Sequence, residues 1–369
     1  MTEPIPPVRL VLLYGGQSAE HDVSRVSAAH VLRAIDPARY EIEPVAITTD
    51  GRWVRSDATV AALASGPAGL PDALDATGTA LAPQASVAPV RSGQEVVVLP
   101  ILHGPRGEDG TVQGLLELAG VAYVGSGVLG SAANMDKVMS KALAAAAGLP
   151  ILRYLAVRDV DVDTGGGPCA GDGGFAGRVA DELGWPVFVK PANMGSSVGV
   201  SRADDPASLA EALAQALAFD EWAVVEEAVA AREIEIGVIG NESPRASVPG
   251  EIVPAGEFYD YEDKYVDGRA RTVIPADLPD EVASQARAMA VEAFRALRCD
   301  GLARVDFFYE ESGRGLLFNE INTMPGFTPY SMFPSLWAAT GLPYAELIDE
   351  LVRLALARHA HRAPHRRQR

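Results

Sequence analysis

Two short apolar runs near the C-terminus carry Arg304-Val305-Asp306 and Glu320-Ile321-Asn322, joined through the glycine-bearing stretch Glu311-Ser312-Gly313-Arg314-Gly315. Side chains alternate faces along a strand, so Arg304 projects with Asp306, and Glu320 with Asn322. An antiparallel hairpin centred on Gly313 sets Asp306 opposite Glu320 and Arg304 opposite Asn322. One face then presents two carboxylates, an amide and a guanidinium. Hard oxygen donors in so small a number suit Mg²⁺, which keeps waters and phosphate oxygens in its shell. The chemistry this points to is ATP-dependent.

Upstream, Lys190 closes an apolar run, and Gly195-Ser196-Ser197-Val198-Gly199 follows. Small residues let backbone N–H groups approach phosphate oxygens, and a nearby lysine adds a point charge. The stretch is neither G-x-x-x-x-G-K-[ST] nor G-x-G-x-x-G, so a Walker site and a nicotinamide dehydrogenase are both disfavoured. Alone, the loop fits a hairpin turn as well as a phosphate cradle; the carboxylate hairpin downstream favours phosphate. The stretch from Glu226 and Glu227 through Val229 to Glu233 ends one strand and begins another. Its backbone can read an adenine edge and a carboxylate can bind ribose hydroxyls, although a solvated acidic turn has the same composition. Glu20 and His103 each fall just past a predicted strand end, where a small cationic substrate can be gripped; each also fits a polar loop. Ser196 and Ser331 do not make a hydrolase, because the G-x-S-x-G elbow is absent.

These residues need elements to position them. The run over 8–13 reads as a buried strand broken by Gly15-Gly16, followed by a helix from about His21. A second buried strand over 96–102 ends at His103-Gly104. Open α/β sheets bind ligands beyond the carboxyl ends of their strands, so 17–20 and 103–104 can line one crevice. Between them, 57–94 is rich in Ala, Gly and Pro and reads as a variable excursion with some helix. A helix over 132–147, closed by Gly148 with Pro150 beyond, carries Lys137 and Lys141 on one surface. The Gly- and Asp-rich segment 159–174 reads as an exposed insertion. A hairpin pairs 185–190 with 198–201; a helix over 206–218, a strand ending at Glu226-Glu227 and a strand over 233–239 follow. The polar, aromatic segment 254–279 has the length of a lid. A helix over 280–297 precedes the carboxylate hairpin, and a last helix spans 344–357.

With 369 residues the chain is long enough for two or three domains, each with a core. Its composition, 48% apolar and 22% charged, is that of a soluble globular protein. A formal charge of −18 argues against nucleic acid or an anionic membrane as partner, so an anionic substrate must be held by local cations. Cys169 and Cys299 form neither a metal-ligand spacing nor a disulfide framework. The apolar run 10–14 is too short for a signal peptide, and no stretch reaches the ~18 apolar residues of a membrane span. A cytoplasmic enzyme is expected, with the basic, His-rich segment 359–369 as a frayed tail.

Taken together, these residues resemble the D-alanine–D-alanine ligase family, ATP-grasp enzymes of peptidoglycan synthesis. The resemblance rests on Gly15-Gly16-Gln17-Ser18-Ala19-Glu20, His103-Gly104 with Gly107-Glu108-Asp109-Gly110, Met135-Asp136-Lys137 and Lys190-Pro191. It continues through Gly195-Ser196-Ser197-Val198-Gly199, Tyr259-Asp260-Tyr261-Glu262-Asp263-Lys264-Tyr265 and Pro325-Gly326-Phe327-Thr328-Pro329-Tyr330-Ser331. It implies a mixed α/β and α+β chain in the ATP-grasp fold. Its parts are an N-terminal open parallel α/β substrate-binding domain (1–134), a central ATP-grasp domain (135–232) and a C-terminal ATP-grasp domain with metal site and lid (233–369).

By matching position, the resemblance implies that Asp306, Glu320 and Asn322 hold two Mg²⁺ ions, Glu320 bridging, with Mn²⁺ able to substitute and ATP as co-substrate. Lys137, Lys190, Gly195, Ser196 and Ser197 are implied on the phosphates, with Lys264 in the lid over them. Glu226, Glu227, Val229 and Glu233 are implied around adenine and ribose. Glu20, with His103 nearby, is implied to pair with the ammonium of the first D-alanine, and Arg304 with the Gly326 N–H to form an oxyanion site. Ser331 and Met332 are implied to bind the second D-alanine, Ser331 receiving its carboxylate. Glu20, Ser196 and Tyr265 are implied to form a hydrogen-bonded triad tying the lid to the first domain. Family members that make D-alanyl-D-lactate replace the lid tyrosine or rebuild the lid, so Lys264-Tyr265 favours the dipeptide. Met194 and Met332 depart from the common pattern at positions that concern loop shape and packing. A homodimer is implied by the resemblance alone. Another ATP-grasp carboxylate–amine ligase is the nearest alternative; a non-catalytic ATP-binding protein is disfavoured because every metal ligand and Arg304 is present.

Overall fold

The computed structural model describes residues 8–162, 174–253 and 271–366, built around three β-sheets. The first holds β1 (Val8–Gly15), β2 (Tyr40–Ile47), β3 (Trp53–Arg55), β4 (Thr79–Ala80), β5 (Val96–Ile101) and β6 (Ala122–Tyr123), in the order β4-β3-β2-β1-β5-β6. β1 lies between parallel neighbours β2 and β5 and is buried on both faces, hence its unbroken apolar run. The sheet is parallel only from β2 to β6. β3 and β4 join antiparallel at the edge, so the expected open parallel sheet is a mixed one. The segment 57–94 supplies β4 as well as the helix Asp57–Ala64, more structure than an excursion.

The second sheet, β7 (Tyr154–Arg158), β8 (Val187–Pro191), β9 (Ser201–Ala203) and β10 (Trp222–Glu227), is antiparallel in the order β7-β10-β8-β9. The expected hairpin is present, but its second arm starts later, with Val189 opposite Ser201. The reason is local: Ser196 and Ser197 adopt positive φ (52° and 58°), which keeps 195–200 out of the ladder.

The third sheet contains β11 (Arg232–Gly240), β12 (Arg245–Ala246), β13 (Gly250–Val253), β14 (Arg271–Val273), β15 (Gly301–Glu310) and β16 (Gly315–Asn322). Its order is β14-β13-β11-β15-β16, with β12 paired to β11. The helix Asp280–Ala296 buries Ala286, Ala290, Ala293 and Phe294 in one core with Ile234, Ile236, Val305 and Phe318 of this sheet.

The helix expected over 132–147 is two helices, Val128–Met135 and Lys137–Ala146. Asp136 breaks it. Its carboxylate accepts from Val138 N at 2.9 Å and Met139 N at 3.0 Å, an N-cap that satisfies donors a continuous helix would bond internally. Lys141, read as sharing a surface with Lys137, is buried. The last helix runs Tyr344–Arg362, so the expected frayed tail is helical through its first residues. It sets Leu347, Leu351 and Val352 in the same core as Leu10, Leu12 and Val97, returning the C-terminus to the first sheet. Among the described residues, no helix is long and apolar enough to cross a membrane.

Candidate active site

The face of β15 and β16 carries the residues read from the sequence, and in the expected pairing: Asp306 opposite Glu320, Arg304 opposite Asn322. The reason differs from a hairpin centred on Gly313. Nearer the turn, Glu310 pairs with Gly315 and Phe307 with Phe318, a register one residue out of step with that at Asp306. Asn319 is the additional residue, a β-bulge. A one-residue slip exchanges the faces of every side chain beyond it, so the bulge brings Glu320 onto the face of Asp306.

Arg304 grips Asp306 with both arms of its guanidinium, Nε to Oδ1 at 2.8 Å and Nη2 to Oδ2 at 2.7 Å. Its Nε also lies 3.0 Å from Glu235 Oε2, on the residue of β11 that pairs with Asp306. Burial works to lower the Arg304 pKa, but Asp306 and Glu235 outweigh it and hold the group well above its usual range. Glu235 was not found from sequence; the signal was there, since Glu233 and Glu235 alternate with apolar residues on one face. Asn322 Oδ1 accepts from Met324 N at 2.9 Å, and Glu320 Oε2 lies 3.6 Å from Lys137 Nζ. Among the described residues, no three His, Cys, Asp or Glu side chains meet as a ready-made metal site. The donor set of Asp306, Glu320 and Asn322 nonetheless fits Mg²⁺ in chemistry: all oxygen, two carboxylates, on adjoining strands.

On one side of this face lies a cavity of about 360 Å³ lined by β8, β10, β11, β13 and the Gly195–Ser197 loop. Lys190, Glu226, Val229, Glu233, Arg304, Asp306 and Glu320 all border it. Lys190 Nζ stands 2.7 Å from Glu226 Oε2, and Lys141 Nζ 2.8 Å from Glu226 Oε1. Burial alone would raise the Glu226 carboxyl, but the two ammonium groups pull it down to about 2. Burial alone would lower Lys190; Glu226 and Glu320 raise it above its usual value, so it stays cationic. Alternation along β10 turns Glu227 the other way, onto Arg153 and Arg314, each at 2.6 Å. Both carboxylates are thus engaged by cations, and what residue 227 can offer an adenine is its backbone. Lys137 Nζ donates to Met194 O at 2.6 Å, between the loop and Glu320.

On the other side a cavity of about 670 Å³ is bordered by Glu20, His103, Glu108, Ser196, Arg304, Glu320, Asn322, Gly326, Ser331 and Met332. The crevice expected from the strand ends is real: Ser18 Oγ donates to His103 O at 2.6 Å. Ser196 Oγ donates to Glu20 Oε1 at 2.5 Å, so the loop and the first sheet meet in one hydrogen bond. His103 Nδ1 lies 3.0 Å from Met324 O, while no described residue bonds its buried Nε2. Glu108, quoted from the sequence within the 107–110 motif but given no role there, accepts from Gly104 N at 2.8 Å; burial and then Glu20 push its carboxyl up to about 8. Gly326 lies against Ser331, where a Cβ would stand 3.1 Å from Ser331 Oγ. Ser331 opens the helix Met332–Ala339, whose N–H groups suit a carboxylate, and Met332 packs inward with Ile252 and Leu336. Lys264 and Tyr265, expected over this region, lie outside the described residues.

Oxygen donors, two lysines and a buried guanidinium thus separate a nucleotide-sized cavity from one with groups for an ammonium and a carboxylate. That arrangement can move a phosphoryl group onto a carboxylate without a protein nucleophile.

Known proteins share both halves of this construction. Residues 9–126 match the family model described as D-ala D-ala ligase N-terminus, and residues 143–353 that described as D-ala D-ala ligase C-terminus. The D-alanine--D-alanine ligase of Geobacillus thermodenitrificans is 48% identical over 362 residues, covering 95% of this chain and 96% of its own. That of Listeria innocua is 46% identical over 368 residues, with 95% and 96% covered. The solved D-alanine-D-alanine ligase from Coxiella burnetii superposes with a TM-score of 0.80 at 34% identity, covering 97% of this chain and 96% of that one. The VanG D-Ala:D-Ser ligase from Enterococcus faecalis gives 0.79 at 30% identity, covering 95% and 100%. Matched along its length and in its ATP-grasp fold, the chain belongs to the D-alanine–D-alanine ligase family.

Proposed function

We propose that this chain joins two D-alanines into D-alanyl-D-alanine for peptidoglycan synthesis, converting ATP to ADP and phosphate. The observation that carries the reading is the shared wall: Arg304 and Glu320 border both the nucleotide cavity and the substrate crevice. A γ-phosphate entering from one side and a carboxylate from the other can meet at that wall, which Gly195, Ser196, Glu235 and Ile252 also share.

Lys137 and Lys190 hold the phosphates with the 195–197 backbone, and Glu226, Glu227, Val229 and Glu233 border base and ribose. Glu20 takes the ammonium of the first D-alanine, with His103 beside it. Its carboxylate attacks the γ-phosphorus, giving an acyl phosphate and ADP. Ser331 and the helix it opens hold the carboxylate of the second D-alanine, whose amine then attacks. Arg304 and the Gly326 N–H bind the oxyanion of the tetrahedral intermediate, and phosphate leaves. Asp306, Glu320 and Asn322 would hold two Mg²⁺ ions, or Mn²⁺ in their place, which neutralise charge on the phosphate oxygens. Two unit charges at about 4 Å gain ~1 kcal/mol in water but ~4 kcal/mol at an effective dielectric of 20, so the same cations act more strongly in a dry site. The resemblance implies Lys264 and Tyr265, which lie outside the described residues, in a lid whose closure would exclude water.

The division into 1–134, 135–232 and 233–369 is supported to within one residue by the spans of the three sheets, the third starting at Arg232. A homodimer working in the cytoplasm completes the reading, and the mass in solution tests the dimer.

The deciding measurement is ADP release by the purified protein with Mg²⁺ and D-alanine, set against L-alanine and against D-alanine with D-lactate. D-alanine alone is expected to support turnover; equal turnover with L-alanine, or none with D-alanine, refutes the assignment. Tyr265→Phe is expected to weaken dipeptide synthesis and admit some hydroxy acid. An unchanged product ratio at matched D-alanine and D-lactate would remove the lid tyrosine from specificity.

A further inference from the structure

Lys141 borders neither cavity and is 1% exposed, yet its ammonium touches both parts of the nucleotide site. Nζ lies 2.8 Å from Glu226 Oε1 and donates to Asn319 O at 3.1 Å. Asn319 is the bulged residue of β16. One residue earlier, Phe318 N donates at 2.7 Å to the carbonyl of Pro150, just past the end of the helix that bears Lys141. The helix and its exit therefore grip two successive residues of β16. A bulge takes one residue out of the ladder, and its part-buried carbonyl is then bonded by a donor from elsewhere. An ammonium has three donors and can serve a carboxylate and a carbonyl together. Neutralising Glu226 does not by itself call for Lys141, because Lys190 already stands 2.7 Å from its other oxygen. If β16 lost the bulge, Asp306 would pair with Asn319 and Glu320 would turn to the opposite face.

We propose that Lys141 is a positioning residue: it pins the Asn319 bulge and so keeps Glu320 and Asn322 aimed at the reacting phosphates, while holding Glu226 at the wall of the nucleotide cavity. This rests on the ligase function proposed for the site.

Lys141→Met keeps the aliphatic stem and removes the donors. In the full-length protein without metal or nucleotide, amide hydrogen exchange across 315–322 is expected to accelerate, with the first sheet unchanged. At saturating ATP and D-alanine, the Mg²⁺ concentration for half-maximal ADP release is expected to rise about 10- to 100-fold, the loss seen when support of metal ligands is removed. The KM for D-alanine should stay at the wild-type value. Wild-type exchange across 315–322 in the variant overturns the proposal. So does a defect confined to the KM for ATP, which would make Lys141 a counter-ion for Glu226 and nothing more. Should Lys141→Met fail to fold, Lys141→Gln, a shorter neutral donor, is measured for the same two outcomes. If the wild-type protein shows no D-alanine-dependent ADP release, the ligase reading falls, while the exchange measurement on the metal-free protein still decides the role of Lys141.

Discussion

Asp306 has two duties, and its removal exposes both. It is a proposed metal ligand and the bidentate partner of Arg304, so Asp306→Ala also removes both of these hydrogen bonds and leaves the guanidinium beside Glu235. Glu320→Ala removes a proposed ligand and the carboxylate 3.6 Å from Lys137. Both variants are expected to abolish ADP formation in a coupled assay, and normal turnover by either folded variant would refute its ligand role. Glu108 leaves a different mark. Its carboxyl rises from 4.5 to about 8 on folding, through burial and the neighbouring Glu20. Between those values the folded state holds a proton that the unfolded state has released, so this contribution to stability falls as pH rises through the window. Glu108→Gln should lose that dependence, gaining thermal stability relative to wild type between about pH 5 and about pH 9. Parallel Tm–pH curves for the two proteins would count against it. Asp306, Glu320 and Asn322 were legible in the sequence because alternation pairs Glu320 with Asn322 and a hairpin register centred on Gly313 sets Asp306 opposite Glu320, although the structure reaches that register through a bulge. Glu108 was not, because only the folding of its loop against Gly104 sets it beside Glu20.

At the level of elements, the hairpin was legible and its bulge was not. Residue pattern fixes which face a strand buries, whereas an unpaired residue is set by whatever bonds its carbonyl, and that group sits on a helix far away in sequence. The break at Asp136 is similar, a cap that outbids helical periodicity. Gly237 offers a test of how closely the third sheet is packed. It pairs with Arg304, and a Cβ there would fall 2.8 Å from Nε1 of the fully buried Trp337. Gly237→Val should cost about 1–3 kcal/mol through overpacking, read as a lower urea midpoint with unchanged slope. A wild-type midpoint would mean that the helix Met332–Ala339 yields easily.

Across the whole molecule, several of the strands could be anticipated and three domains were implied by the resemblance, but the return of the last helix to the first sheet could not be foreseen. An apolar stripe shows that a helix is covered without showing by what. Arg358 fixes that return: it is buried, donates to Tyr123 O at 3.2 Å and to Gly125 O, and lies 4.3 Å over the Tyr123 ring. Arg358→Ala should lower stability by about 2–4 kcal/mol, since two buried carbonyls lose their donor. The kcat of the molecules that remain folded should be retained; a lost kcat at full stability would contradict a purely architectural role. The bond from Ser196 to Glu20 has a wider reach. It joins the glycine-serine loop to the proposed grip on the amino acid, so on the proposed function nucleotide that stills the loop also stills the grip. Thermodynamic reciprocity then requires D-alanine to tighten ATP by the same factor by which ATP tightens D-alanine.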